Sequence, residues 1–413
     1  MRRGVIYSFL SLALSLAATP HMHARGQAAS FSTLERGRYL AVAGDCEACH
    51  TNASGKPFAG GRPIPTPFGT IYSPNITPDR ETGIGGWSND QFYRALHAGV
   101  AANGDHLYPA FPYPWFTKVT REDSDAIRAY LNTLDPVSNT PPENKLDWPL
   151  NYRVVMRGWN ELFFAEGTFV PNADKSAEWN RGAYLVEGLG HCGACHTPKN
   201  VFGAAERDKR LQGGTIQDWY APDLAGDLRS GLGSWSSDDI VEFLKNGRNR
   251  RTAAYGLMAE VITRSTSKFN DSDLNAIATY LKDLPASNAK TQAAKADPKL
   301  TQAGEAIYID NCSACHRSNG QGTPGTFPAL KDDTNVQSRD PTTVIRVILD
   351  GTRAVPTNER PTPLAMPSFK WKLSDGEIAA VASYIRTTWG NSAPPVSESE
   401  TQTMRKTLSE SAN

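Results

Sequence analysis

Three short stretches of this 413-residue chain carry all six of its cysteines: Cys46-Glu47-Ala48-Cys49-His50, Cys192-Gly193-Ala194-Cys195-His196 and Cys312-Ser313-Ala314-Cys315-His316. Two thiols one helical turn apart can each bond a vinyl group of a porphyrin, and the histidine that follows can reach its iron. Cys-x-x-Cys-His is the attachment signature of c-type haem. A redox dithiol does not require a histidine after it three times over. A zinc site draws four ligands from paired motifs, whereas these pairs lie more than 100 residues apart. The sequence therefore predicts three covalent haems c on Cys46, Cys49, Cys192, Cys195, Cys312 and Cys315, with His50, His196 and His316 as the proximal iron ligands.

A thioether sulfur on the opposite side of the iron raises its potential. Of six methionines, Met1 and Met22 fall near the N-terminus and Met404 near the C-terminus, which leaves Met156, Met258 and Met366. Met258 follows His196 by 62 residues and Met366 follows His316 by 50, each about one helix before a repeated tyrosine, so both are read as sixth ligands. At the matching place after His50 stands Phe111, which has no lone pair to donate. For the first iron four options remain: Met156 on a helix folded back over the site, His97, His106, or no protein ligand.

The elements that must position these groups repeat as well. Arg36-Gly37-Arg38-Tyr39-Leu40 matches Arg181-Gly182-Ala183-Tyr184-Leu185, with Ala303-Gly304-Glu305-Ala306-Ile307-Tyr308 as a looser version. Ser73-Pro74-Asn75-Ile76 matches Ala221-Pro222-Asp223-Leu224. Ser88 and Ser236 are expected to cap helices, with Gln91 and Asp239 three residues on, and Asp340-Pro341 to open the third equivalent. Thr120, Asn270 and Ser374 then cap a last helix in each unit. Its apolar stripe is Ile127, Tyr130, Leu131 and Leu134, then Ile277, Tyr280, Leu281 and Leu284, then Val381, Tyr384 and Ile385. The expectation is an all-α chain of three tandem class I cytochrome c modules joined by loop-rich linkers.

The boundaries read as a signal peptide at 1–29, module one at 30–150, a bridging helix and linker at 151–175, module two at 176–290, module three at 291–392, and a polar, disordered tail at 393–413. The signal rests on Arg2 and Arg3, an uncharged apolar run over 5–18, and small residues at Ala24, Ala28 and Ala29. It implies export. Beyond it no apolar run approaches the ~18 residues of a membrane span. The 43 Lys and Arg balance 43 Asp and Glu, which excludes a broad basic footprint for nucleic acid.

These stretches resemble the multihaem cytochrome c subunits of membrane-associated bacterial dehydrogenases that oxidise alcohols, sugars, sugar acids and aldehydes. The resemblance rests on Leu107-Tyr108-Pro109-Ala110-Phe111-Pro112-Tyr113, Trp159-Asn160-Glu161-Leu162-Phe163, Gly190-His191 before the second attachment motif with Thr197-Pro198 after it, and Met258-Ala259-Glu260-Val261. It implies an electron-transfer subunit with no substrate chemistry of its own. Electrons would pass from a catalytic subunit of flavin, PQQ or molybdenum type, through three haems, to ubiquinone or another downstream acceptor. It further implies a periplasmic protein peripherally associated with the inner membrane, and carries over His50, His196, His316, Met258 and Met366 as ligands. Members of that family often have Met where Phe111 stands. The other functional expectations are a soluble multihaem shuttle and a peroxidase-like enzyme using an open first haem.

Overall fold

The structure is a computed structural model that describes residues 29–287, 297–357 and 361–411. The expected signal peptide, up to residue 28, and most of the linker before module three lie outside the described residues.

The first unit contains α1 (Phe31–Ala43), α2 (Cys46–Cys49), the hairpin strands β1 (Pro63–Thr66) and β2 (Gly69–Tyr72), then α3 (Asn89–Ala98), α4 (Tyr113–Phe116) and α5 (Arg121–Leu131). A connector adds β3 (Lys145–Leu146), antiparallel to β2, and α6 (Val155–Phe163). The second unit repeats the plan with α7 (Ala177–Tyr184), α8 (Gly193–His196), β4 (Gln212–Ile216), β5 (Trp219–Asp223), α9 (Ser237–Asn246), α10 (Gly256–Arg264) and α11 (Asp271–Lys282). The third has α12 (Pro298–Asn311), α13 (Ser313–His316), α14 (Thr334–Gln337), α15 (Thr342–Asp350), the strand pair β6 (Thr352–Arg353) and β7 (Ala365–Met366), and α16 (Asp375–Thr387), followed by α17 (Glu398–Ser411). The chain is thus mostly helical rather than purely so, because each unit inserts a short antiparallel hairpin.

Each unit is closed by its first and last long helices crossing at one glycine. A Cβ on Gly37 would sit 1.9 Å from the Ala126 carbonyl oxygen, on Gly182 1.9 Å from that of Ala276, and on Gly304 2.2 Å from that of Ala380. No side chain fits there, so the repeated glycine in the opening motif is a helix-crossing residue. Tyr130, Tyr280 and Tyr384 flank the three crossings. The expected caps form: Ser88 and Ser236 make full capping boxes with Gln91 and Asp239, and Ser374 makes one with Glu377. Thr120 and Asn270 accept from the backbone N–H three residues on. Pro341 is itself the cap residue of α15, and Asp340 accepts from the Thr342 N–H at 2.8 Å.

Units one and two share one core and a crosswise polar seam. Arg36 donates to Asp123 within unit one, and Tyr184 of unit two donates to the same carboxylate at 2.5 Å. In mirror fashion Arg181 donates to Asp273 within unit two, and Tyr39 of unit one donates to it at 2.7 Å. Unit three carries Ala303, Ala306 and Glu377 at the corresponding positions and makes no such exchange. It docks instead on the β4–β5 hairpin, through Thr343 and Tyr220 and through the Arg346 guanidinium 4.2 Å from the Trp219 ring centre.

Burial alone would raise the Asp273 pKa, but the hydrogen bonds from Arg181 and Tyr39 hold it below the usual carboxylate value. Asp273→Ala should therefore cost about 2 kcal/mol at neutral pH, at the low end for a buried hydrogen-bonded charge because the Arg181 side chain remains 35% exposed. That contribution is present above the unfolded carboxylate pKa of about 4 and is lost as pH falls through the lowered native value. Denaturant titrations should show the full wild-type advantage at pH 7 and a smaller one at pH 3, below the unfolded carboxylate pKa.

One expectation is corrected. The segment 393–413, read as a disordered polar tail, packs as the helix α17 against α15 and α16 as far as it is described. Thr401, Met404 and Leu408 are buried along one face, with Val396 buried just before. Arg405 donates to Asp375 at 2.6 Å and to the carbonyls of Lys370 and Leu373. Ser397 and Glu400 exchange the two bonds of a capping box at its start. Spacings of three and four residues suffice for an apolar stripe even where the average composition is polar.

Candidate haem sites

The candidate attachment turns α2, α8 and α13 are four-residue helices, each delivered by the helix before it. From Gly37 to Cys46 is nine residues, but from Gly182 to Cys192 is ten. The extra residue is absorbed by a π-helical turn over Leu185–Leu189, so both motifs emerge at the same place relative to the crossing. None of the six cysteines forms a disulfide.

The histidines that end the three motifs are all oriented the same way. Nδ1 of His50 donates to the Pro74 carbonyl at 2.8 Å, that of His196 to the Pro222 carbonyl at 2.7 Å, and that of His316 to the Pro328 carbonyl at 2.9 Å. A proton on Nδ1 leaves Nε2 with a lone pair for iron, and the carbonyl fixes the ring plane and increases ligand basicity. Burial lowers the pKa of all three rings, His196 to about 4, against a smaller upward pull from the carbonyl. They are neutral at physiological pH, the state that binds a metal. Sequence reasoning did not single out these prolines as partners of the histidines: the repeated Ser73-Pro74-Asn75-Ile76 and Ala221-Pro222-Asp223-Leu224 were visible, and Phe327-Pro328-Ala329-Leu330 completes the set.

Unit three shows the site most openly. Cys312, Cys315 and His316 line one wall of an apolar cavity and Met366 lines it too, with Ile348, Phe369 and Leu373 from the core behind. Thr252, Ala253 and Tyr255 of unit two close one side. Attachment thiols, a neutral imidazole, a thioether and an apolar wall are the donor set and surroundings that a c-type haem requires. The residues fit the group.

In unit two, Pro222 on β5 holds His196, and Trp219 on the same strand packs on Gly256 at the start of α10. Gly256 has φ of +55°, and a Cβ there would strike the indole. The strand thus ties His196 to the helix that carries Met258. Met258 is half-buried against Ala254 and Ile262 of unit two and Val355 of unit three, with Phe243 beside them.

Unit one departs as its sequence does. Phe111 is half-buried against Phe116, ring centres 5.4 Å apart. His97 stacks on Tyr93 and turns Nε2 toward Glu166 at 3.9 Å. His106 lies against the connector: its carbonyl accepts from Arg153, and its ring faces the Asn160 amide at 3.5 Å. The bridging helix α6 does fold back. Asn160 accepts from the Tyr113 hydroxyl at 2.5 Å, Trp159 and Phe164 pack edge-on to Tyr113, and Arg153 covers Tyr108. Met156, on the same helix face as Trp159 and Asn160, is 4% exposed.

Residues 301–389 match the cytochrome c family model. The gluconate 2-dehydrogenase cytochrome c subunit of Pantoea cypripedii is 41% identical over 88% of this chain and 87% of its own length. The cytochrome c subunit of the quinone alcohol dehydrogenase of Gluconobacter oxydans is 40% identical over 96% and 87%. The fructose dehydrogenase cytochrome subunit of Gluconobacter japonicus is 36% identical over 90% and 82%. Likeness at this level, running nearly end to end in relatives of different substrate, follows the haem-bearing architecture rather than any one oxidation, and the chain belongs to the family of cytochrome c subunits of dehydrogenase complexes.

Proposed function

We propose that this subunit carries electrons through three covalently bound haems c, from a dehydrogenase catalytic subunit that oxidises an alcohol, sugar or aldehyde, toward ubiquinone or another respiratory acceptor. The observation that carries the reading is the threefold repetition of an attachment turn followed by a neutral histidine whose Nδ1 is tied to a proline carbonyl. When bound, each haem supplies one-electron chemistry between ferric and ferrous iron. The chain's own part is to hold each imidazole neutral and oriented, to present Met258 and Met366 to the second and third irons, and to exclude water with apolar walls. Phe111 favours Met156 as the ligand brought to the first iron by α6.

The partner is of flavin, PQQ or molybdenum type. Export to the periplasm and peripheral association with the inner membrane fit the expected signal peptide. Among the described residues no helix is long and apolar enough to cross a membrane.

Intact mass spectrometry of the matured protein should give the polypeptide plus three haems. A mass with two or fewer in fully matured material overturns the three-haem reading. Isolation from membranes under mild detergent should bring down a dehydrogenase subunit whose cofactor names its type.

A further inference from the structure

Helix α10 faces two ways. Met258 and Ile262, four residues apart, lie on the side toward Ala254 and Phe243 of unit two, where Val355 of unit three also packs. Glu260, two residues from Met258, points away from that side by about 200° of helical rotation, and Arg264 shares its face. This second face packs on α2, the attachment turn of unit one. The Arg62 guanidinium grips the Glu260 carboxylate with both arms, at 2.5 and 2.8 Å, and the same Arg62 donates to the carbonyl of Ala48, between the two cysteines of the first motif. Arg264 donates to Glu47, also inside that motif, at 3.0 Å and lies 3.6 Å from Glu260. The reverse contact, from unit one onto the second motif, is aromatic: a Cβ on Gly193 would lie 2.5 Å from the Trp115 indole nitrogen.

Arg62 and Glu260 are both about one-quarter exposed, and a forked arginine–carboxylate pair fixes orientation as well as distance. It connects the backbone that bears the first haem to the helix that bears the second iron's methionine. Among the described residues, unit three contributes no partner to these hydrogen bonds and ion pairs; its one contact near Met258 is the apolar Val355. We propose that Glu260 and Arg62 are positioning residues that make the first attachment turn and the Met258 helix one mechanical unit, so that the first two haems respond together to a change at this pair while the third does not. The inference rests on the reading of Met258 as the second iron's ligand.

The test is redox titration of the full-length, haem-loaded protein with optical detection of methionine ligation, the third haem being assigned by its shift in Met366→Leu. Glu260→Gln and Arg62→Gln should each shift two of the three midpoint potentials in full-haem material and leave the third in place. The double variant should match the single variants rather than add them, and Arg62→Lys, which keeps the charge but loses the fork, should show the same two-haem pattern. Unmoved potentials, movement of one haem alone, movement of all three together, or additive shifts overturn the proposal. Met258→Leu separates the two readings. If it changes no haem, the ligand assignment fails; if it changes one haem while the Glu260 and Arg62 variants change none, the coupling alone fails.

Discussion

Met366→Leu is expected to lower the potential of one haem by about 0.1–0.2 V, a modest part of the ~0.8 V that axial ligands span, and to leave the other two unchanged. Leucine conserves volume, so the fold should lose less than about 1.5 kcal/mol. What it removes is the sulfur. Met366 shares an apolar cavity with Cys312, Cys315 and His316, and its strand β7 is pinned to β6 by the Thr352–Met366 pairing. Met404→Leu is the control. It sits in the same core but on α17, packed away from the cavity lining, and should move no potential. A titration in which Met366→Leu and Met404→Leu both coincide with wild type would reject Met366 as a ligand.

The parts of this molecule that could be read from the sequence are the local ones. Ser88 with Gln91, Ser236 with Asp239 and Ser374 with Glu377 are capping pairs whose partners lie within one turn, so spacing alone announces them. The three Cys-x-x-Cys-His turns are local in the same way, and each forms a short helical turn. The histidine-orienting carbonyls of Pro74, Pro222 and Pro328 are not legible, because a backbone acceptor has no side-chain signature. The repeated tetrapeptide around the first two marks the place without naming the role. The seam is hidden by distance: Tyr184 meets Asp123 and Tyr39 meets Asp273 across 61 and 234 residues. Only the pairing of two similar units makes those contacts reciprocal. The C-terminal helix was obscured by averaging, since Thr401, Met404 and Leu408 are few among many polar neighbours yet fall on one face.

At the first haem, Met156→Leu is expected to convert one six-coordinate haem into one that binds carbon monoxide when reduced, one equivalent per chain, while the unmodified protein binds none. Leucine again conserves volume at a site only 4% exposed, where truncation to alanine would cost about 2–5 kcal/mol and confuse ligation with folding. The argument for Met156 is one of position. Phe111 stands at the sequence position that Met258 and Met366 occupy in the other two units, and Tyr113, two residues on, is bonded to Asn160 and packed by Trp159 on α6. Residues 156, 159 and 160 share a helix face, so the face that covers this loop is the face that carries the sulfur. The histidines are less well placed, His97 being stacked on Tyr93 in the last turn of α3 and His106 occupied with the connector at Arg153 and Asn160. His106→Gln should therefore leave all three haems as they are. Carbon monoxide binding to the unmodified reduced protein would mean an open first iron, and would favour a peroxidase-like reaction there over simple electron transfer. A low-spin first haem that survives Met156→Leu and is lost in His106→Gln would place the histidine on the iron instead.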